Sequence, residues 1–548
     1  MKPIRWTLWK GTAALLLFLF AASCSKDPAE TVLLTAVQVQ ETSLVLPEGG
    51  TADLNFRVTD KEYAFVSDPA ATDCEISLVT ADNHDPVHFR LVRVARQGEA
   101  GTWLATLADN GSGDEYQEEI HLKIRRRDGT AVLSGRIQVR SEEKPADLAP
   151  DTGLPVIFLD TQAAITSKED YVDGTLRIDG RGVADGLEEV TCQVRGRGNT
   201  TWTWPKKPYL VKLDQKASLF GMPKHKRWIL LANFLDRTMM RNIIAMKVAS
   251  MTSLDWTPRC QSVELVLNGR HAGNYLLIEQ VRVDKNRVPI TEMTPEDNSG
   301  DALTGGYLLE CDFHFDNIVQ WLSPHGRSNQ WIWGRNDVVP FGIKSPDEDE
   351  ITAAQTDYIK DYIEKTASAL YGKDFTDPEK GYAAWLDTDS FIDYWLVFEV
   401  MGNHELGNPG SVYMHKDRGG KLMAGPVWDF DWGILSYKTS PQAQTGLVNG
   451  KAIWYARLFE DPAFRARVKA RFEELLPKLQ TIPAFIDETE KMLTRSATLN
   501  FRMWNPADDA SQNGGSIING DENMSFHDAV RRLRTIYEER LQVIGRNL

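Results

Sequence analysis

The sequence predicts an α+β protein with an all-β module ahead of it. Three observations carry this. Short alternating runs fill residues 31–142, a Pro- and Glu-rich stretch follows at 143–153, and the remainder opens with strands and closes with helices.

The first residues read as a leader. Lys2, Arg5 and Lys10 precede an apolar run over 13–22, and Ala21-Ala22-Ser23 then meets Cys24. That order matches a charged, an apolar and a small-residue region before a cleavage point. The run is too short to span a bilayer. A cysteine in that place resembles the lipobox of bacterial lipoproteins. It implies a signal peptide over 1–23, lipid on Cys24, and a polar tether over 24–30. The expected location is a membrane-anchored lipoprotein, in the periplasm or on the cell surface.

Residues 31–142 hold seven or eight short strands with turns such as Pro47-Glu48-Gly49-Gly50 between them. This fits an immunoglobulin-like β-sandwich, and no residue cluster in it suggests chemistry. After the linker, Leu154-Pro155-Val156-Ile157-Phe158-Leu159 opens a domain over 154–548. Arg195-Gly196-Arg197-Gly198 reads as a loop between two strands, where glycines let backbone approach an anion closely. On the second strand Tyr209, Val211 and Leu213 face one way, Leu210 and Lys212 the other. Asp236 fits the cap of a helix over 237–252. Asn268-Gly269 signals a hairpin. Its second strand ends in Glu279-Gln280-Val281, a polar pair interrupting an apolar run. Residues 389–400 and 527–544 have helical spacing.

The richest stretch is Gly425-Pro-Val-Trp-Asp-Phe-Asp-Trp-Gly433. In an extended segment Asp429 and Asp431 point to one side. Paired carboxylates of this kind suit Mg²⁺, which keeps waters and shares itself with phosphates. The net charge of −15 argues against a nonspecific nucleic-acid binder. Cys74, Cys192, Cys260 and Cys311 have no CxxC spacing, which argues against zinc. They allow three disulfide connectivities, among which sequence does not choose.

Taken together, Arg195-Gly-Arg-Gly-Asn-Thr-Thr-Trp202, the Lys207…Lys212 strand, Leu219-Phe-Gly221, Trp228-Ile-Leu-Leu231, Asp236…Arg241-Asn242, Leu267-Asn-Gly269…Gly273-Asn-Tyr-Leu-Leu-Ile-Glu-Gln280 and the Asp429-Phe430-Asp431 stretch resemble the CotH family. These are spore-coat-protein-H kinases with an atypical, two-lobed, secretory-type protein-kinase fold. The resemblance runs over about 154–545. It implies that Arg195, Gly196, Arg197 and Gly198 cover a nucleotide and that Lys212 or Lys207 holds its phosphates. It also implies that Glu279, Gln280 and Val281 meet adenine, and that Asp429 and Asp431 hold Mg²⁺ with ATP. The family's catalytic aspartate falls on Glu405 of Gly402-Asn-His-Glu405, one methylene longer. Asp297, Asp301, Asp312 and Asp316 read as solvated loop charges, with cleft-lining as the other reading for Glu310 and Asp312 after Tyr307-Leu308-Leu309.

The implied activity is ATP- and Mg²⁺-dependent phosphoryl transfer to protein hydroxyls outside the cytoplasm, with Glu405 and Asp429 as catalytic residues. Two other classes stand beside it. One is a non-catalytic surface adhesin or scaffold on a degenerate kinase-like body. The other is a carbohydrate-handling lipoprotein, suggested by 16 tryptophans and paired acids.

Overall fold

The computed structural model describes residues 34–47, 50–60, 75–86, 88–97, 102–109, 117–125, 130–142, 150–314, 317, 319–327, 335–506 and 519–548. The leader, Cys24 and Cys74 lie outside the described residues. The chain divides into two compact units, one ending at Leu148 and the next starting at Ala149.

The first unit is all-β. Its strands are β1 (Leu34–Val39), β2 (Ser43–Pro47), β3 (Thr51–Asp60), β4 (Glu75–Thr80), β5 (Phe89–Gln97), β6 (Thr102–Asp109), β7 (Gln117–Arg125), β8 (Ala131–Leu133) and β9 (Ile137–Glu142). One sheet runs β1-β3-β6-β5, the other β2-β9-β7-β4 with β8 beside β7. Alternate residues of both, including Leu54, Phe56, Val58, Ile120, Leu122 and Ile124, form one core with no exposed surface. Burying each is worth roughly 1.5–3 kcal/mol. Residues 131–142 form two strands, β8 and β9, not one continuous strand. Ser134 turns inward to accept the Leu122 N–H at 2.9 Å, which breaks the ladder.

The second unit is α+β. Strands β10 (Val156–Thr161), β11 (Val172–Asp179), β12 (Leu187–Gly196), β13 (Tyr209–Ala217), β14 (His225–Leu231), β15 (Cys260–Leu267) and β16 (Arg270–Glu279) close into a barrel. It is antiparallel except where β10 meets β15. Tyr209, Val211 and Leu213 fill its interior, whereas Leu210 faces out toward the larger core, as the alternation predicts. The β15–β16 turn forms at Asn268 and Gly269, with φ of 51° and 76°, the left-handed pair such a turn needs. A one-turn helix α1 (Thr200–Thr203) sits in the glycine loop. Helix α2 (Arg241–Ala249) follows the barrel strand β14 and starts later than expected. Asp236 is not its adjacent cap. It accepts from Thr238 N and, across a turn, from Arg241 N, both at 2.9 Å.

Beyond the barrel lies a five-stranded sheet ordered β18-β19-β17-β20-β21. Its strands are β17 (Tyr307–Cys311), β18 (Gln320–Pro324), β19 (Val338–Ser345), β20 (Val412–Lys416) and β21 (Leu422–Ala424). The helices α3 (Ala353–Tyr371), α4 (Thr388–Val400), α5 (Tyr455–Leu458), α6 (Pro462–Leu479), α7 (Ile482–Met503) and α8 (Phe526–Asn547) complete the unit. Helix α4 is buried on every side, so its apolar residues are not confined to one stripe. Glu399 on α4 forms a fully buried pair with Arg540 of α8. Cys192, Cys260 and Cys311 are free thiols. No helix among the described residues is long and apolar enough to cross a membrane.

Candidate active site

The Asp429–Asp431 segment is not extended. Asp429 adopts φ of 65°, in the left-handed region that aspartate enters more readily than most residues. The two carboxyls converge through that kink, and the Asp429 charge acts on Asp431. Side chains from distant parts of the chain hold the loop. Asn242 Oδ1 accepts the Phe430 N–H at 2.8 Å. Asn519 accepts the Gly433 N–H at 2.8 Å and donates to Asp431 O at 3.1 Å. Arg241 Nε donates to Ile434 O at 2.8 Å, while its guanidinium pairs with Asp236 and Asp521 out of solvent. Each replaces a water that the buried backbone would otherwise need. The positions 241–242 are in the sequence motif. Asn519 was missed, because only folding brings residue 519 beside 431.

The acids do not stand alone. Asp312, Glu310, Glu405, Asp429 and Asp431 act on one another electrostatically. Burial, then the Asp429 and Asp431 charges, pushes the Glu405 carboxyl well above its usual 4.5. Burial, then Asp429, does the same to Asp431. Asp312 is raised by burial and by Glu310. Burial, then Glu310, pushes the Tyr413 hydroxyl well above its usual 10, and Lys344 Nζ lies 3.2 Å from the Glu310 carboxylate. Glu405 N bonds Asn403 Oδ1 at 2.8 Å, which fixes the turn that presents its carboxyl.

Arg197 is the cation that acts on both Asp429 and Asp431. Its guanidinium lies 5.4 Å from the Trp428 ring centre. A second bridge joins the same two segments, since Trp204, just past α1, stacks on Trp432 at 6.0 Å and 7°. The glycine loop and the acidic loop therefore meet on both flanks of the aspartates. Gly196 makes this possible, because a β-carbon there would lie 2.4 Å from the Trp202 ring. Gly198 has φ of 81°, which side chains resist.

The lysines behave differently from expectation. Lys212 is not among the charges named as acting on Asp429, Asp431 or Glu405. It faces Tyr171, 5.8 Å from that ring, which Arg195 also covers at 5.1 Å, while Arg227 donates to the Tyr171 hydroxyl at 3.0 Å. Its strand position points out of the barrel, and it sits opposite Gln193 and Arg227 in the sheet. Lys207 bonds Trp202 O at 2.8 Å and so ties down the loop. Lys206, passed over in the sequence, is fully buried and donates to Ala232 O, Asn274 O and Asn500 Oδ1. Glu279 is tied into the fold through its side chain. Its carboxylate is engaged by Arg259 at 2.8 Å and has no exposed surface, and its N–H bonds Arg259 O. Gln280 O already accepts from Arg287 at 2.9 Å, whereas Gln280 Oε1 is buried without a partner. Val281 packs against the main core.

No group of three or more His, Cys, Asp or Glu set to hold a metal occurs among the described residues. The donor set nonetheless fits Mg²⁺. Two mutually repelling carboxyls converge where Arg197 is the cation acting on both, and this ion needs only one or two carboxylates beside phosphates and water.

A family model described as CotH kinase protein matches residues 194–544, more than half of the chain. The chain belongs to that family. The match covers the glycine loop, the acidic loop and every residue named in the acid cluster. No curated protein matches this CotH-family chain. Among solved structures, it is similar to the fibronectin(III)-like modules of Clostridium thermocellum CbhA. That likeness has 11% identity and a TM-score of 0.13, covering 35% of this chain and 90% of that one. At that score it carries no argument.

Proposed function

We propose that this CotH-family chain is an extracytoplasmic protein kinase that moves the γ-phosphoryl group of ATP to a protein hydroxyl. One observation carries the reading: the glycine-loop Arg197 and the acids Asp429, Asp431 and Glu405 meet in one place. The barrel with its glycine loop serves as the nucleotide-covering lobe, and the helices with β17–β21 as the other. Bound Mg²⁺ would neutralise triphosphate oxygens, with Asp429 and Asp431 as its protein ligands. Arg197 contributes a second positive charge to the phosphates from above. Arg195, Lys212 and Arg227, gathered around Tyr171, extend that positive surface along the barrel wall. Glu405 accepts the proton of the attacking hydroxyl once positive charge in the cluster has offset its acidic neighbours. Phosphoryl transfer asks for such positioning and charge neutralisation more than for covalent help.

Lipid on Cys24 holds the chain at a membrane, and the first unit is an immunoglobulin-like spacer. Calorimetric titration of the lipid-free chain with ATP, with and without Mg²⁺, tests the core of this reading. Saturable binding that strengthens with Mg²⁺ is expected; no heat in either arm would overturn it.

A second reading has one observation in its favour. Burial and the Asp429 and Asp431 charges hold the Glu405 carboxyl well above its usual range, and it carries an extra methylene where an aspartate is expected. A scaffold that binds ATP without turning it over would show the same titration and no phosphoprotein product.

A further inference from the structure

A cavity of about 380 Å³ opens in the second unit away from the acid cluster. Tyr358 and Tyr362, one turn apart on α3, and Trp385 supply its apolar walls, and Lys416 and Lys421 its positive charge. Glu379 is its one lining acid and is exposed. The volume lies within the usual range for small-molecule sites, which pair apolar walls with a few placed polar groups. In the sheet, Glu310 opposes Tyr413 in the acid cluster, and Tyr307 opposes Lys416. The cavity therefore sits three residues along the same strand pair, about 10 Å from the cluster.

Lys416 makes this more than a surface dent. It is 1% exposed. Its ammonium donates to Thr304 O and, at 3.3 Å, to Asp417 O. It lies 4.6 Å from the Tyr362 ring centre and 5.6 Å from that of Tyr358. An ammonium has three N–H donors, so one is left facing ring surface. Asp417 and Asp301 are the acids that act on this ammonium, and the Asp417 carboxylate already accepts the Thr291 N–H at 2.9 Å. Burial pulls the amine down to about 8, so it still carries its charge at neutral pH. A cation held by two carbonyls, with its third N–H against partly exposed aromatic rings that line a cavity, is a receptor for negative charge on a flat body.

We propose that this cavity binds an organic anion with a planar ring, the ring lying against Tyr358 and Trp385 and the anionic group meeting Lys416. The site is separate from the acid cluster and does not depend on the kinase reading.

N-acetyl-tryptophan is a direct probe, with its uncharged amide as control, titrated into the whole chain by calorimetry and ligand-observed NMR. The acid is expected to bind saturably and at least about 10-fold more tightly than the amide. Lys416→Met should remove that preference. Because Lys416 also supports Thr304, Tyr358→Ala serves as a second variant; it should weaken binding several-fold at a temperature where circular dichroism shows the variant folded. Equal binding of acid and amide, binding that survives Tyr358→Ala unchanged, or no saturation by about 10 mM, a dissociation constant weaker than most specific sites show, would each overturn the proposal.

Discussion

The side-chain oxygen of Asn242 accepts the backbone N–H of Phe430 at 2.8 Å, between the two aspartates of the acidic loop. Helix α2 thereby sets the spacing of the two carboxyls that flank Phe430, 188 residues further along. Asn242→Leu removes the acceptor and leaves a buried N–H without a partner, which costs about 1–3 kcal/mol. A lower denaturation midpoint is expected, together with weaker Mg²⁺-dependent ATP binding. Retention of both would mean that the loop holds its own shape.

Asp431 is a buried acid next to another acid, so its charge works against the metal-free fold. Asp431→Asn should therefore keep or raise the melting temperature. It should also cut Mg²⁺-supported phosphoryl transfer by two orders of magnitude or more, in line with losing a transition-state charge contact. A variant that melts lower and transfers normally would reverse both assignments.

The pH dependence follows from Glu405 and Asp312, whose folded values lie above their unfolded ones. The folded chain then holds more protons than the unfolded chain. Their contribution to stability is complete below about pH 4 and is lost as pH rises through the folded values. In chelator, denaturation midpoints should fall as pH rises from 4 toward neutrality, and Glu405→Gln should flatten that slope. Added Mg²⁺ should restore stability at the upper end.

The lysines separate expectation from structure most sharply. Lys206→Met strands three buried neutral acceptors and should cost about 1–3 kcal/mol or more, the range for leaving a buried polar group unsatisfied. Lys212→Met touches a partly exposed side chain against Tyr171 and should change stability by no more than about 0.5 kcal/mol. Arg197→Met, rather than Lys212→Met, should give the larger drop in ATP affinity. Urea denaturation and ATP calorimetry on the three variants check the order.

Alternation gave the strands of both units and the inward face of β13, because a period of two follows directly from backbone geometry. Tyr209, Val211 and Leu213 line the barrel for that reason. Asn268-Gly269 made its hairpin because the turn needs left-handed residues. The family was legible too, since its motifs are local strings. Local strings also misled. Asp429 and Asp431 converge through a kink that no spacing rule announces. Asp236 braces Arg241 from across a turn instead of capping the next residue.

The chain's own order of residues determined which segments became strands, where the hairpin turned, and that two acids would stand near a glycine loop. Only folding decided which cation meets those acids. Arg197 and Lys212 both lie on segments joined to β12 and β13, yet Arg197 projects toward Trp428 and Lys212 toward Tyr171. The difference is a matter of direction and distance in space. Coulomb attraction and burial act on those alone, and neither is written in the spacing of residues along a strand.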